Sequence, residues 1–133
     1  MIPCLVVTHG QLANELVAAA EMIVGEFRHI MPLCLGWQDD VNEAREEIRK
    51  AIAQCDMARG LIILTDMFGG TPSNLAISFM QEARIEVVTG VNLPMIVKAA
   101  SQGEDDTLAV LAERIGEKGK ANICIASRIL SDK

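Results

Sequence analysis

Apolar residues in this chain fall into short unbroken runs separated by longer stretches with helical spacing. Residues 2–7, with Ile2, Leu5, Val6 and Val7, lack polar alternation, as expected of a strand covered on both faces. Residues 11–24 then place Leu12, Leu16, Ala19, Ala20 and Ile23 on one side of a helix, with Gly25 positioned to end it. Residues 30–35 form a second apolar run, and Pro32 within it predicts an edge strand. Asp40 with Glu43 predicts a capping box opening a helix over about 41–55. Residues 60–65 give the clearest central strand. A helix follows, with Thr71 as N-cap and Pro72 as its first residue, where a missing N–H costs nothing. Residues 85–89 make a fourth strand, helices follow over about 94–101 and 106–116, and 122–126 reads as a last strand.

Strands alternating with helices at this spacing predict an α/β domain: a doubly wound, mostly parallel sheet of four to five strands with helices on both faces. The 133 residues suit one domain over 1–133, and no linker or repeat divides them. The core must be aliphatic, since the chain holds three Phe, one Trp and no Tyr. Trp37 reads as a packing residue in a loop with Gln38, Asp39 and Asp40.

Charge narrows the partners. A net charge of −6 argues against nucleic acid and against an anionic membrane surface. No apolar run nears the roughly 18 residues of a membrane span, and the start lacks the basic residues of a targeting peptide. A cytoplasmic location with no membrane insertion is expected. The scattered cysteines Cys4, Cys34, Cys55 and Cys124 contain no CxxC pair. Cys4, Cys34 and Cys124 read as buried hydrophobes, and no metal or cofactor is expected.

In open parallel sheets, chemistry sits beyond the strand carboxyl ends where strand order reverses. Three such ends carry Thr8-His9-Gly10, the stretch Asp66 to Asn74, and Thr89 to Pro94. A neutral imidazole is a good nucleophile near neutral pH. A carboxylate bonded to one ring nitrogen fixes the tautomer and leaves the other lone pair free. His9 and Asp66 fit those roles. Gly69, Gly70, Thr71 and Ser73 lead into a helix N-terminus, which offers N–H groups, a favourable dipole and hydroxyls to a tetrahedral anion. Gly70, Thr71 and Ser73 are the expected phosphate-binding residues. Met67, Phe68, Asn92 and Met95 are candidates for the site rim or for docking a partner. His29 reads as structural, and the run Glu104-Asp105-Asp106 as a solvated loop capping the next helix.

These motifs, Val7-Thr8-His9-Gly10, Asp66 through Asn74 and Gly90 through Met95, resemble the mannose-type IIA domain of the bacterial sugar phosphotransferase system. The likeness spans roughly residues 1–100. It implies a phosphocarrier modified at Nε2 of His9, with Asp66 as the bonded carboxylate. It implies phospho-HPr as donor, a IIB protein as acceptor, and a homodimer in which the last strand, here 122–126, is antiparallel and completes the partner's sheet. No IIB domain follows in this chain. A regulatory phosphoprotein outside sugar uptake would need the same chemistry. An Asp66-phosphorylated receiver module is disfavoured, because Thr8 and His9 stand where it would hold acidic magnesium ligands.

Overall fold

The computed structural model describes residues 1–36 and 40–131. Trp37 lies outside them. Four strands, β1 (Cys4–His9), β2 (Ile30–Leu35), β3 (Leu61–Thr65) and β4 (Ile85–Thr89), form one parallel sheet in the order β2-β1-β3-β4. Six helices accompany them among the described residues: α1 (Leu12–Val24), α2 (Val41–Ala53), α3 (Thr71–Ser78), α4 (Leu93–Ala100), α5 (Leu108–Ala121) and α6 (Ala126–Ser131). A short 3-10 turn, Phe79–Gln81, extends α3.

Strand alternation divides the core. Cys4, Val6, Ile62 and Leu64 face α1, α4 and α5, packing on Ala13, Val17, Ile96, Leu111 and Ile115. Leu5, Val7, Leu61 and Ile63 face α2 and α3, packing on Ala44, Ile48, Leu75, Ala76 and Phe79. Both faces of β1 and β3 are therefore covered, which explains runs without polar alternation. Each fully buried aliphatic side chain contributes about 1.5–3 kcal/mol, so the two central strands carry much of the stability.

β1 feeds β2 on one side, while β3 pairs with its other edge. The order reverses between β1 and β3, and the loops after these strands face each other there. β2 is an edge strand, as Pro32 predicts.

Several boundaries differ from expectation. The N-cap of α3 is Gly70, one residue before Thr71; the Asn74 N–H closes the first turn on the Gly70 carbonyl at 3.0 Å. Asp40 does cap α2, accepting from the Asn42 N–H at 3.4 Å. α5 starts later than expected and runs on to Ala121, with Thr107 rather than the acidic run as its cap. Asp106 is instead buried, bonded to the Gly103 N–H at 2.9 Å and to Arg114 at 2.7 Å.

The larger correction concerns 122–126. It is not a strand in this chain: residues 123–125 have no regular structure and Ala126 opens α6. Among the described residues no strand pairs with it, and Ile123, Ile125, Ile129 and Leu130 stand exposed. Cys124 is accordingly exposed, not buried. Cys4 is buried as expected, and burial, with a smaller contribution from nearby Cys55, pushes its thiol up to about 12.

Candidate functional site

The site is built from the ends of β1 and β3. Thr8 is buried, and its hydroxyl accepts the Ala13 N–H at 2.7 Å, satisfying one orphan donor at the start of α1. Gly10 takes a φ of 54°, a left-handed conformation that suits glycine, and its N–H reaches the Leu35 carbonyl at 2.9 Å. Between these two anchors His9 projects outward with its side chain 47% exposed.

Asp66 meets it from β3. Its Oδ2 accepts the His9 backbone N–H at 3.0 Å and lies 2.7 Å from the ring Nδ1. Its Oδ1 accepts the Met67 N–H at 3.0 Å. Partial burial pushes this carboxyl up, but the backbone and ring hydrogen bonds from His9, and the ring's charge, together hold it below the usual carboxylate range. An ionised carboxylate can only accept, so Nδ1 must donate. In the neutral form of the ring Nε2 then keeps its lone pair, on the side away from Asp66.

The glycine turn closes over that free edge of the ring. A Cβ built on Gly70 would lie 2.9 Å from His9 Cε1 and 3.4 Å from Nε2. A side chain there would press on the reacting edge. Gly69, with φ of 92°, makes the bend that brings Gly70 into place. Thr71 is exposed and its hydroxyl has no hydrogen-bond partner among the described residues, so it is available to a ligand. The first-turn N–H groups of Thr71 and Ser73 have no partner within α3 by helix geometry, whereas Pro72 has none to offer.

Ser73 is placed differently from the phosphate-binding role read in the sequence. It is 0% exposed. Its hydroxyl accepts the Gly69 N–H at 2.9 Å and donates to the Gly70 carbonyl at 3.1 Å. The hydroxyl is committed to the loop itself.

The rim candidates separate into two pairs. Met67 and Phe68 are 56% and 73% exposed beside His9 and present an apolar edge. Met95 is 2% exposed, a core residue close to Gly119, and has no surface to offer a partner here. Asn92 caps α4 through the Met95 N–H at 3.2 Å and donates to the Gly119 carbonyl at 3.1 Å. His29 is far from the site, at the amino end of the sheet, where its Nε2 donates to the Ala99 carbonyl at 3.1 Å. Two contributors had no assigned role in the sequence reading: Thr8, and Asn74, whose amide reaches the Gly69 carbonyl at 3.4 Å. A threonine two residues ahead of a glycine at a strand-to-helix junction is the signal that points to the first.

The arrangement defines a parallel α/β domain with a carboxylate-held histidine facing a helix N-terminus. Residues 4–115 match the family described as PTS system fructose IIA component. The mannose-specific EIIAB component of the phosphotransferase system (PTS) of Escherichia coli (strain K12) is 33% identical over 122 residues, covering 84% of this chain. The chain spans 36% of that relative's length. The PTS fructose-specific EIIA component of Bacillus subtilis (strain 168) is 27% identical, covering 98% of this chain and 90% of the relative. Among solved structures, the mannose/sorbose specific IIA subunit of the phosphotransferase system from Enterococcus faecalis superposes with a TM-score of 0.86 at 26% identity, covering 94% of this chain and 95% of that one. The chain belongs to the mannose-type EIIA family of the PTS. Among the described residues, no helix is long and apolar enough to cross a membrane.

Proposed function

We propose that this protein is a phosphocarrier that takes a phosphoryl group onto Nε2 of His9 from phospho-HPr and passes it to a IIB protein. The observation that carries this reading is the 2.7 Å pairing of Nδ1 with Asp66, which leaves Nε2 as the nucleophile. The Nε2 lone pair attacks phosphorus, and the donor's P–N bond breaks with its electron pair staying on the donor nitrogen. The His9 ring gains positive charge as the new N–P bond forms. The Asp66 carboxylate, bonded to Nδ1–H, stabilises that charge without taking the proton. The Thr71 hydroxyl and the first-turn N–H groups of α3 face the phosphoryl oxygens, aided by the helix dipole. Transfer to the acceptor reverses these steps.

Met67 and Phe68 form the apolar part of the surface that both carriers would cover. The protein is also proposed to be a homodimer. β4 is a sheet edge with no proline, unlike β2, and a groove of about 420 Å³ runs along it between Val87, Thr89, Gly116 and Ile123. The exposed apolar segment from Ile123 to Leu130 begins at that groove and is suited to cover the same edge on a second copy.

Incubation with phospho-HPr tests the reading. The label should be acid-labile and base-stable, as a phosphoramidate is, and absent from His9→Ala. Full labelling of His9→Ala overturns it.

A further inference from the structure

We infer that Ser73 is a positioning residue for phosphoryl transfer, acting through Gly70 rather than by touching the phosphoryl group. The inference rests on the phosphocarrier reading and assigns Ser73 a part within that site.

Three observations lead to it. First, Ser73 is fully buried, so its side chain cannot meet an incoming group. Second, its one hydroxyl ties two consecutive residues of the turn, accepting from the Gly69 N–H and donating to the Gly70 carbonyl. Third, Gly70 is the residue that lies against the Cε1–Nε2 edge of His9, with a built Cβ only 2.9 Å from Cε1.

The loop has other ties. Asn74 N–H reaches the Gly70 carbonyl at 3.0 Å, and the Asn74 amide reaches the Gly69 carbonyl at 3.4 Å. Both of these hold carbonyls. The Gly69 N–H is held by Ser73. Gly69 sits at φ of 92° and Gly70 is extended at φ −85°, so two glycines in succession leave the backbone free to drift once that bond is gone. Drift of Gly70 changes the distance between Nε2 and the donors of the α3 first turn. In-line transfer is sensitive to such displacements: about 1 Å of misplacement can cost on the order of 10²-fold in rate. Thr71 and Ser73 thus divide the work. The exposed Thr71 hydroxyl faces the phosphoryl oxygens, and the buried Ser73 hydroxyl fixes where that face stands.

The test compares wild type, Ser73→Ala and Ser73→Thr, all labelled in single turnovers by phospho-HPr well below their melting temperatures. Ser73→Ala should label about 10- to 100-fold more slowly at saturating donor, with the half-saturating donor concentration unchanged. Its Gly69 amide should lose protection from hydrogen exchange, while the ¹⁵N shifts of the His9 ring stay those of the Asp66-bonded tautomer. Ser73→Thr, which keeps the hydroxyl, should recover rate and Gly69 protection together. The inference is overturned if Ser73→Ala loses Gly69 protection yet labels within about twofold of wild type. It is equally overturned if the loss appears only in the half-saturating concentration, or if the His9 ring shifts move. An unlabelled wild type overturns the phosphocarrier reading itself, and the role of Ser73 with it; a labelled wild type with an unimpaired Ser73→Ala removes Ser73 alone.

Discussion

One carboxylate oxygen of Asp66 receives two hydrogen bonds from His9, from the backbone N–H at 3.0 Å and from the ring Nδ1 at 2.7 Å. The first fixes where the β1 end stands against β3. The second fixes which ring nitrogen is free. Positioning and chemical activation of the imidazole therefore depend on the same atom.

Replacing Asp66 tests that dependence. Asp66→Ala should slow labelling of His9 by on the order of 10²-fold or more, through loss of the tautomer and of charge stabilisation. Circular dichroism should show the fold retained, since the carboxylate lies at the mouth of the sheet, outside its core. A rate equal to wild type would remove Asp66 from the mechanism.

Gly70→Ala should act by space alone. The φ of −85° at Gly70 is open to any residue, so the backbone is not strained by the change. The added methyl would stand 2.9 Å from His9 Cε1, and the ring must swing away. Labelling should fall at least about tenfold while the melting temperature moves little. Unchanged labelling would mean that the ring and the turn are further apart in solution.

Acidity offers a third check. The folded-state pKa of Asp66 is lowered, so its contribution to stability is fully present above the unfolded value of about 3.9 and is lost as pH falls through the lower folded value. Urea unfolding should therefore show wild type more stable than Asp66→Asn at pH 5 to 6. The difference should shrink progressively below about pH 4. The carboxylate is only partly buried, so solvent screening limits its size. A difference that grows on acidification would reverse the sign required.

The carboxyl-terminal segment yields a fourth. Ile123→Asp combined with Ile129→Asp puts charges on exposed apolar positions of the carboxyl-terminal segment and changes neither His9, Asp66 nor the glycine turn. Sedimentation should show the wild type as a dimer and the variant as a monomer, with single-turnover labelling retained. A monomeric wild type at micromolar concentration would contradict the dimer.

How far the residues alone lead depends on what each one encodes. β1 and β3 are legible because both faces are covered, and unbroken runs such as Cys4 to Val7 follow from that. The meeting of His9 with Asp66 is legible because both end strands that flank a switch point. The direction of a hydroxyl is not encoded in the same way. Thr71 and Ser73 look alike beside a helix start, yet a two-residue step around the helix exposes one and buries the other. Met95 could not be told from a rim residue, because an apolar side chain near a loop reads the same whether it meets solvent or Gly119. The 122–126 run has the composition of a strand, but a strand exists only with a partner, and the chain's own sheet supplies none.

The central claim is that Nε2 of His9 carries the phosphoryl group because Asp66 occupies Nδ1. Its most direct test is a ¹⁵N and ³¹P NMR spectrum of the ¹⁵N-histidine-labelled protein after reaction with phospho-HPr. The account predicts phosphorus coupled to Nε2 of His9, with Nδ1 still protonated. Phosphorus on Nδ1, or on any residue other than His9, would contradict it.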